Sequence, residues 1–222
     1  MAISAEEEET LEAIKRWWND SGKQIAMGIA VVAIVYFGWQ FWNRSQTNVS
    51  AEASALYDQL TGIAVISPDA TLADENRQRA NELVQQIKAE YADSVYALYA
   101  ALFGAKLSVD VNNLDAAKEH LEWLLANTRS GLFGATDPTL IALASLRLGR
   151  VLLAQGQGAQ ALTVLGGAEP GALAAEFEEL RGDIYMSQGQ REEALTAYQA
   201  ALDTGNPSPV LQLKLNELQS SR

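Results

Sequence analysis

The longest run of hydrophobic residues lies close to the N-terminus. From Ile25 to Trp42 there are 18 residues without a charge, and Gln40 is the one strongly polar side chain among them. As a helix with a rise of about 1.5 Å per residue, this run is roughly 27 Å long, close to the bilayer hydrocarbon thickness of about 30 Å. Aromatic residues gather at both ends, as is typical of membrane interfaces. The pattern predicts a transmembrane signal-anchor helix over residues 24–43.

A cleaved signal peptide is the alternative for this segment, since Ala51 and Ala53 form a small-residue cleavage pattern. The anchor is favoured for two reasons. The apolar run is longer than the about 7 to 15 residues of a signal peptide, and the segment before it is long and acidic where a signal peptide starts short and basic.

Cations near the predicted span indicate its orientation. Three lie before it and one lies just after it: Lys15, Arg16, Lys23 and Arg44. Because the more basic flank stays in the cytoplasm, residues 1–23 are predicted to be cytoplasmic, residues 44–50 a linker and residues 51–222 an exported domain. The first 23 residues are interpreted either as an acidic, amphipathic helix at the membrane surface or as an acidic tail.

Within the span, small residues recur at a spacing of four. Gly22, Ala26 and Ala30 therefore share one helical face, which predicts a packing surface for a second membrane helix.

After the span, the hydrophobic pattern becomes that of paired helices. One segment places small and aromatic residues at offsets 0, 3, 7, 12, 16 and 19, with a proline shortly after: Gly182, Tyr185, Gly189, Ala194, Tyr198, Ala201 and Pro207. This spacing resembles a tetratricopeptide repeat, in which two antiparallel helices close over small residues and a glycine permits the turn between them.

The same spacing occurs twice more upstream. It starts at Gly149 with a turn at Gly156, and again at Ala105, where Asn112 takes the turn position because asparagine tolerates left-handed backbone geometry. The larger step between these two units is explained by a loop at residues 127–138.

Further helices are predicted at both ends of these repeats. A degenerate first unit pairs residues 51–66 with residues 73–93, and a closing helix spans residues 208–221. The closing helix is expected to cover the last repeat with four leucines: Leu211, Leu213, Leu215 and Leu218. The predicted fold is all-α, with one N-terminal transmembrane helix followed by a tetratricopeptide-like helical-repeat solenoid.

Composition argues against several functions. Residues 45–222 carry 12 Lys and Arg against 22 Asp and Glu, which disfavours nucleic acid as a partner. The chain has no cysteine, and His120 is its one histidine, which argues against a metal site. Glu176, Glu178 and Glu179 fit an acidic helix start better than acid/base chemistry. No catalytic, cofactor-binding or metal-binding residue is predicted. The chain is also not expected to have an enzyme activity or a small-molecule substrate.

The first helix of each repeat is the expected lining of a concave groove. An apolar floor with mixed charges is expected there, which suits an extended or helical polypeptide ligand, although some of the leucines are equally explained by packing between repeats. The predicted groove residues are Tyr99, Leu102, Lys106, Leu143, Leu146, Arg150, Leu153, Glu176, Glu179, Asp183 and Met186.

The order of these features resembles the YfgM family, ancillary subunits of the bacterial Sec translocon. The resemblance is carried by "AIKRWW" before the span, "GWQFWNRSQ" at its end and "ASALYDQL" after it. It implies an inner-membrane, non-enzymatic protein with a periplasmic repeat domain. The implied partners are the translocon and a membrane-anchored periplasmic isomerase-type chaperone. A chaperone that itself binds unfolded clients in the periplasm is the alternative.

Overall fold

The computed structural model describes Lys15, Met27 and residues 32–37, 50–63, 73–129, 135–204, 208 and 210–220. The chain forms two compact units, residues 1–51 and 52–222. In the first unit, Met27 and residues 32–37 are helical, and the rest of the predicted span 24–43 lies outside the described residues. Among the residues described, no helix has both the length and the apolar character needed to cross a membrane.

From residue 50 onward, every regular element in the described part is helical. The helices are α1 (residues 50–63), α2 (Asp74–Glu90), α3 (Val95–Asp110), α4 (Leu114–Ala126), α5 (Pro138–Ala154), α6 (Gly158–Gly166), α7 (Ala174–Ser187), α8 (Arg191–Asp203) and α9 (Leu211–Ser220), with one 3₁₀ turn at Gly171–Leu173 before α7.

The three predicted repeats are confirmed as the helix pairs α3/α4, α5/α6 and α7/α8. Each pair is joined by a tight turn whose central residue has a positive φ: 56° at Asn112, 75° at Gly156 and 74° at Gly189. These are the turn positions predicted from the spacing. Left-handed geometry is strained for most side chains, so glycine and asparagine are the residues that such turns select.

Local signals fix where several helices begin. The side chains of Ser94 and Asn113 accept hydrogen bonds from the free N–H groups of Ala97 and Ala116, at 3.2 and 3.1 Å. Asp137 caps α5 in the same way and Pro138 follows it as the first helical residue, a favoured combination at a helix start.

Buried side chains form three clusters along the second unit. One lies among α1, α2 and α3, the largest runs from α3 to α7, and the third joins α8 to α9. The degenerate first unit is therefore present, and its predicted residues Ala80, Val84 and Ile87 are fully buried. Each repeat buries its apolar face against the next, as the fold class requires.

The closing helix corrects one prediction. Leu211, Leu215 and Leu218 are at most 5% exposed, but Leu213 is 67% exposed. Positions 211, 215 and 218 follow one another at helical spacing on a single face, and a residue two positions after Leu211 points to the opposite side.

Candidate functional site

The predicted groove residues fall on α3, α5 and α7, the first helices of the three repeats. Tyr99, Leu102 and Leu153 are half-buried and pack against the largest cluster, and Leu143 is half-buried on α5. The first three of these positions combine packing between repeats with partial exposure. At the other end, Met186 is 41% exposed.

Leu146 is not a groove residue. Its side chain is 2% exposed and belongs to the largest core cluster. A carboxylate introduced here would be buried without a partner, so Leu146→Glu is expected to disrupt the fold itself. The repeat alignment places Leu146 on the correct helix but does not reveal which neighbouring helix covers it.

A cleft of about 340 Å³ lies where α3, α4 and α5 meet. Its lining combines a mainly apolar surface with three cationic side chains. The lining residues are Ala105, Lys106, Val109, Leu114, Leu121, Arg147, Arg150, Val151 and Ala154. Lys106 and Arg150, two of the predicted groove residues, both line this cleft. Arg147 and Val109 were missed, although Arg147 precedes Arg150 by three positions and thus lies on the same helical face.

The three cations of this cleft differ in their surroundings. Lys106 forms an ion pair of 2.6 Å with Asp110 one turn later. In the described part of the chain, no carboxylate lies within 4.0 Å of the Arg147 or Arg150 guanidinium. Burial lowers the pKa of Arg147, and the neighbouring Arg150 charge lowers it further. The cleft therefore concentrates positive charge on the surface of an acidic protein.

The acidic end of the predicted groove is occupied by the protein itself. Lys214 on α9 donates hydrogen bonds to both carboxylate oxygens of Asp183, at 2.7 and 2.8 Å, and to Glu179 at 2.8 Å. Burial raises the pKa of Glu179, but the hydrogen bond from Lys214 and nearby positive charges outweigh it, so the net shift is downward. Two predicted ligand-binding carboxylates thus hold the closing helix.

Tyr198 completes this cluster from α8. Its ring is 3% exposed, and its hydroxyl donates a hydrogen bond of 2.7 Å to Asp183. Burial, followed by the hydrogen bond to Asp183, raises the pKa of the phenol. One oxygen of the remaining predicted carboxylate, Glu176, is buried without a hydrogen-bond partner in the described structure.

His120 lies apart from the cleft, between α2, α3 and α4. It is 7% exposed, and Lys88 lies 3.2 Å from its Nδ1. Burial and the Lys88 charge lower the pKa of His120 to about 4, so the ring is neutral at pH 7. The described residues contain no group of three or more His, Cys, Asp or Glu side chains arranged to hold a metal ion. The predicted membrane-packing residues Gly22, Ala26 and Ala30 lie outside the described residues.

The stacked helix pairs and their turns define the class of protein, a helical-repeat protein of the tetratricopeptide type. A family model described as a tetratricopeptide repeat-like domain matches residues 15–220. No solved structure matches the chain significantly.

Curated relatives narrow the assignment. Proteins named "Ancillary SecYEG translocon subunit" from Haemophilus influenzae and Escherichia coli are 29% and 30% identical over 220 and 222 residues. A protein of the same name from Neisseria gonorrhoeae is 28% identical over 225 residues. Each alignment covers 98% of this chain, and 100%, 99% and 100% of the respective relative. The chain belongs to the YfgM family of tetratricopeptide-like ancillary translocon subunits, which confirms the resemblance drawn from the sequence.

Proposed function

We propose that the chain is a non-catalytic ancillary subunit of the SecYEG translocon, anchored in the inner membrane by one span, with its N-terminus in the cytoplasm. Its repeat domain acts in the periplasm as a protein-interaction scaffold, and a membrane-anchored isomerase-type chaperone is one of its partners. The single observation that carries the proposal is the end-to-end alignment with relatives named for the translocon. Tetratricopeptide-like folds recognise polypeptides through extended concave surfaces.

Exposed apolar side chains support the anchor. In the described part of the predicted span, the apolar side chains of six residues are between 54% and 71% exposed: Met27, Val32, Ile34, Val35, Tyr36 and Phe37. Exposure of so many large apolar groups along one short stretch is unfavourable in water and favourable in hydrocarbon.

The topology is tested by labelling single cysteines, because the chain has none of its own. We expect Asn48→Cys in intact cells with a permeabilised outer membrane to react with a membrane-impermeant maleimide, and Ser4→Cys to react only after the inner membrane is lysed. Equal labelling at both positions before lysis, or a mature protein that lacks residues 1–53, would disprove the anchor.

The scaffold is tested by in-cell photo-crosslinking. A photo-crosslinking amino acid replaces Val35 in the span or Val109 at the cleft, which is 46% exposed, and adducts are identified by mass spectrometry. Leu213 on the far side of α9 is the matched exposed control. We expect translocon adducts from Val35 and chaperone adducts from Val109. A folded, membrane-bound protein that yields neither would refute the proposal.

The apolar lining of the cleft favours a second candidate, a chaperone that binds unfolded clients directly. The full chain in detergent should then suppress aggregation of a denatured model protein at near-stoichiometric ratios, and Val109→Trp, which fills the cleft, should abolish the effect. If the wild-type chain does not suppress aggregation, the second candidate is eliminated while the scaffold is unaffected.

A further inference from the structure

The cleft between α3, α4 and α5 combines cationic side chains with apolar surface. The formal net charge of the chain is −12, yet Lys106, Arg147 and Arg150 converge on this one surface. The described part of the chain gives Arg147 and Arg150 no carboxylate within 4.0 Å, whereas Lys106 is neutralised in part by Asp110. Arg147 is half-buried, so its charge is less well hydrated than that of a fully exposed guanidinium.

Apolar surface lies directly beside these charges. Val109 and Ala154 are exposed at the rim, Leu114 is half-buried, and Leu121 and Val151 are buried beneath them. The volume of about 340 Å³ lies at the lower end of the range of roughly 300 to 1,000 Å³ for ligand pockets. It is suited to a few side chains of an extended segment rather than to a whole folded surface.

We propose that this cleft binds a polypeptide segment of a partner protein in which a carboxylate lies next to apolar side chains. The carboxylate pairs with the Arg147 and Arg150 guanidinium groups, which present planar donors suited to carboxylate oxygens. The neighbouring apolar side chains cover Val109 and Leu114. This inference rests on the proposed scaffold function and names the chemistry of the ligand.

Charge complementarity favours an acidic ligand, and the shape of the cleft favours a polypeptide. A basic or neutral segment would leave the two guanidinium groups without a carboxylate within 4.0 Å, one of them half-buried, since Glu179 acts on Arg150 only through its charge. An anionic lipid headgroup would also pair with the guanidinium groups. However, the apolar surface lies inside the cleft, directly beside these groups. A peptide segment with a carboxylate and apolar side chains next to each other contacts both surfaces. The chain's own acidic segment, Glu6–Glu9, lies on the cytoplasmic side in the proposed topology.

The test measures binding of a fluorescent eight-residue peptide that alternates leucine with glutamate to the full chain in detergent micelles, by fluorescence anisotropy. The matched probe replaces each glutamate with glutamine. We expect the acidic peptide to bind at least about tenfold more tightly than the glutamine peptide, and its affinity to fall as salt is raised. The double substitution Arg147→Gln and Arg150→Gln should remove this preference.

Control variants separate the cleft from general electrostatics. Arg79→Gln removes a cation from an exposed ion pair on α2 and should leave binding unchanged. Arg147→Glu with Arg150→Glu should invert the preference, so that a peptide alternating leucine with lysine binds instead. Because Arg150 is exposed and Arg147 is only half-buried, these variants should fold. Val109→Trp tests the cleft independently, since it blocks the cleft without changing the charge of the protein and should weaken peptide binding.

Each other outcome overturns the inference. Equal binding of the acidic and glutamine peptides would mean that the carboxylate is not recognised. Arginine-dependent binding to phosphatidylglycerol vesicles without competition by the peptide would assign the cleft to lipid, and tighter peptide binding after deletion of residues 2–10 would assign it to the chain's own tail. If peptide binding fails while the in-cell translocon adducts persist, the scaffold function stands and only the cleft assignment is wrong.

Discussion

Gly182 on α7 lies directly against the ring of Tyr198 on α8. A Cβ placed on Gly182 would fall closer to Cδ1 and Cε1 of that ring than any van der Waals contact allows. The ring is unable to withdraw easily, because it is 3% exposed and its hydroxyl is hydrogen-bonded to Asp183. The pairing of α7 with α8 therefore depends on the absence of a side chain at this position.

Gly182→Ala is expected to lower the free energy of unfolding. Alanine gains up to about 1 kcal/mol in helix propensity, but forcing a methyl group into a packed site costs about 1 to 3 kcal/mol, and the second effect should dominate. The measurement is urea unfolding of the full chain in detergent, followed by far-ultraviolet circular dichroism. Gly62→Ala on α1 is the control, since nothing lies within 4 Å of its Cβ position; it should be neutral or stabilising.

Substitution of the turn glycines should destabilise the fold through backbone strain and not through a steric clash. At Gly156 and Gly189 a Cβ would meet nothing within 4 Å, but φ is 75° and 74°. Substitution of either glycine by alanine is expected to cost about 1 to 2 kcal/mol through backbone strain alone. Gly166→Ala, in open space without a positive φ, should not show this cost. Equal effects at all three positions would contradict the assignment of strain.

Local sequence chemistry accounts for the parts of the fold that were predicted correctly. The turns at Asn112, Gly156 and Gly189 need left-handed backbone geometry. Glycine and asparagine are favoured in this geometry, so the turns can be recognised from the residue type. Leu213 was misassigned because alternating leucines mark no helical face by themselves. Leu146 was misassigned because a repeat alignment does not show which neighbour covers a given leucine.

The candidate site was harder to predict, because residues that are distant in the sequence pair with some of its charged side chains. Glu179 and Asp183 were predicted to face a ligand, but Lys214 contacts both, from positions 35 and 31 residues further along the chain. No local pattern reports such a contact. Conversely, the repeat positions had already selected Lys106 and Arg150, which both line the cleft, and Arg147 could have been selected from its helical spacing to Arg150.

Lys214→Met is expected to loosen α9. It leaves two partly buried carboxylates without their cation, so we expect a loss of about 1 to 2 kcal/mol and faster hydrogen exchange in α9. Arg79→Met is the matched control, because its ion pair with Glu82 is long, 3.8 Å, and exposed. Unchanged exchange in α9 of the Lys214 variant would show that the buried leucines alone hold the helix.

The same cluster predicts how attachment of α9 depends on pH. The folded-state pKa of Glu179 is lowered, so its contribution is present above the ordinary pKa of 4.5 and is lost as pH falls through the folded value. The pKa of Lys214 is raised, because its hydrogen bonds to Asp183 and Glu179 outweigh the opposing effect of burial. Its contribution is present below 10.5 and is lost as pH rises through the folded value. Protection of the α9 amides, measured as exchange relative to the intrinsic rate at each pH, should therefore be greatest between these limits.

His120 predicts a pH dependence in a separate window. Its pKa is about 4 in the folded chain against 6.5 as the ordinary value, because the ring is buried and faces Lys88. The unfolded chain therefore binds a proton in this window that the native state does not bind, so stability falls as pH decreases from 6.5 toward 4. Between pH 7 and pH 5 the loss should be about 2 kcal/mol. Since His120 is the one histidine of the chain, His120→Gln should remove most of this slope in urea unfolding, even if it lowers stability at pH 7. A slope that survives the substitution would mean that carboxylates, rather than this buried ring, set the acid sensitivity of the domain.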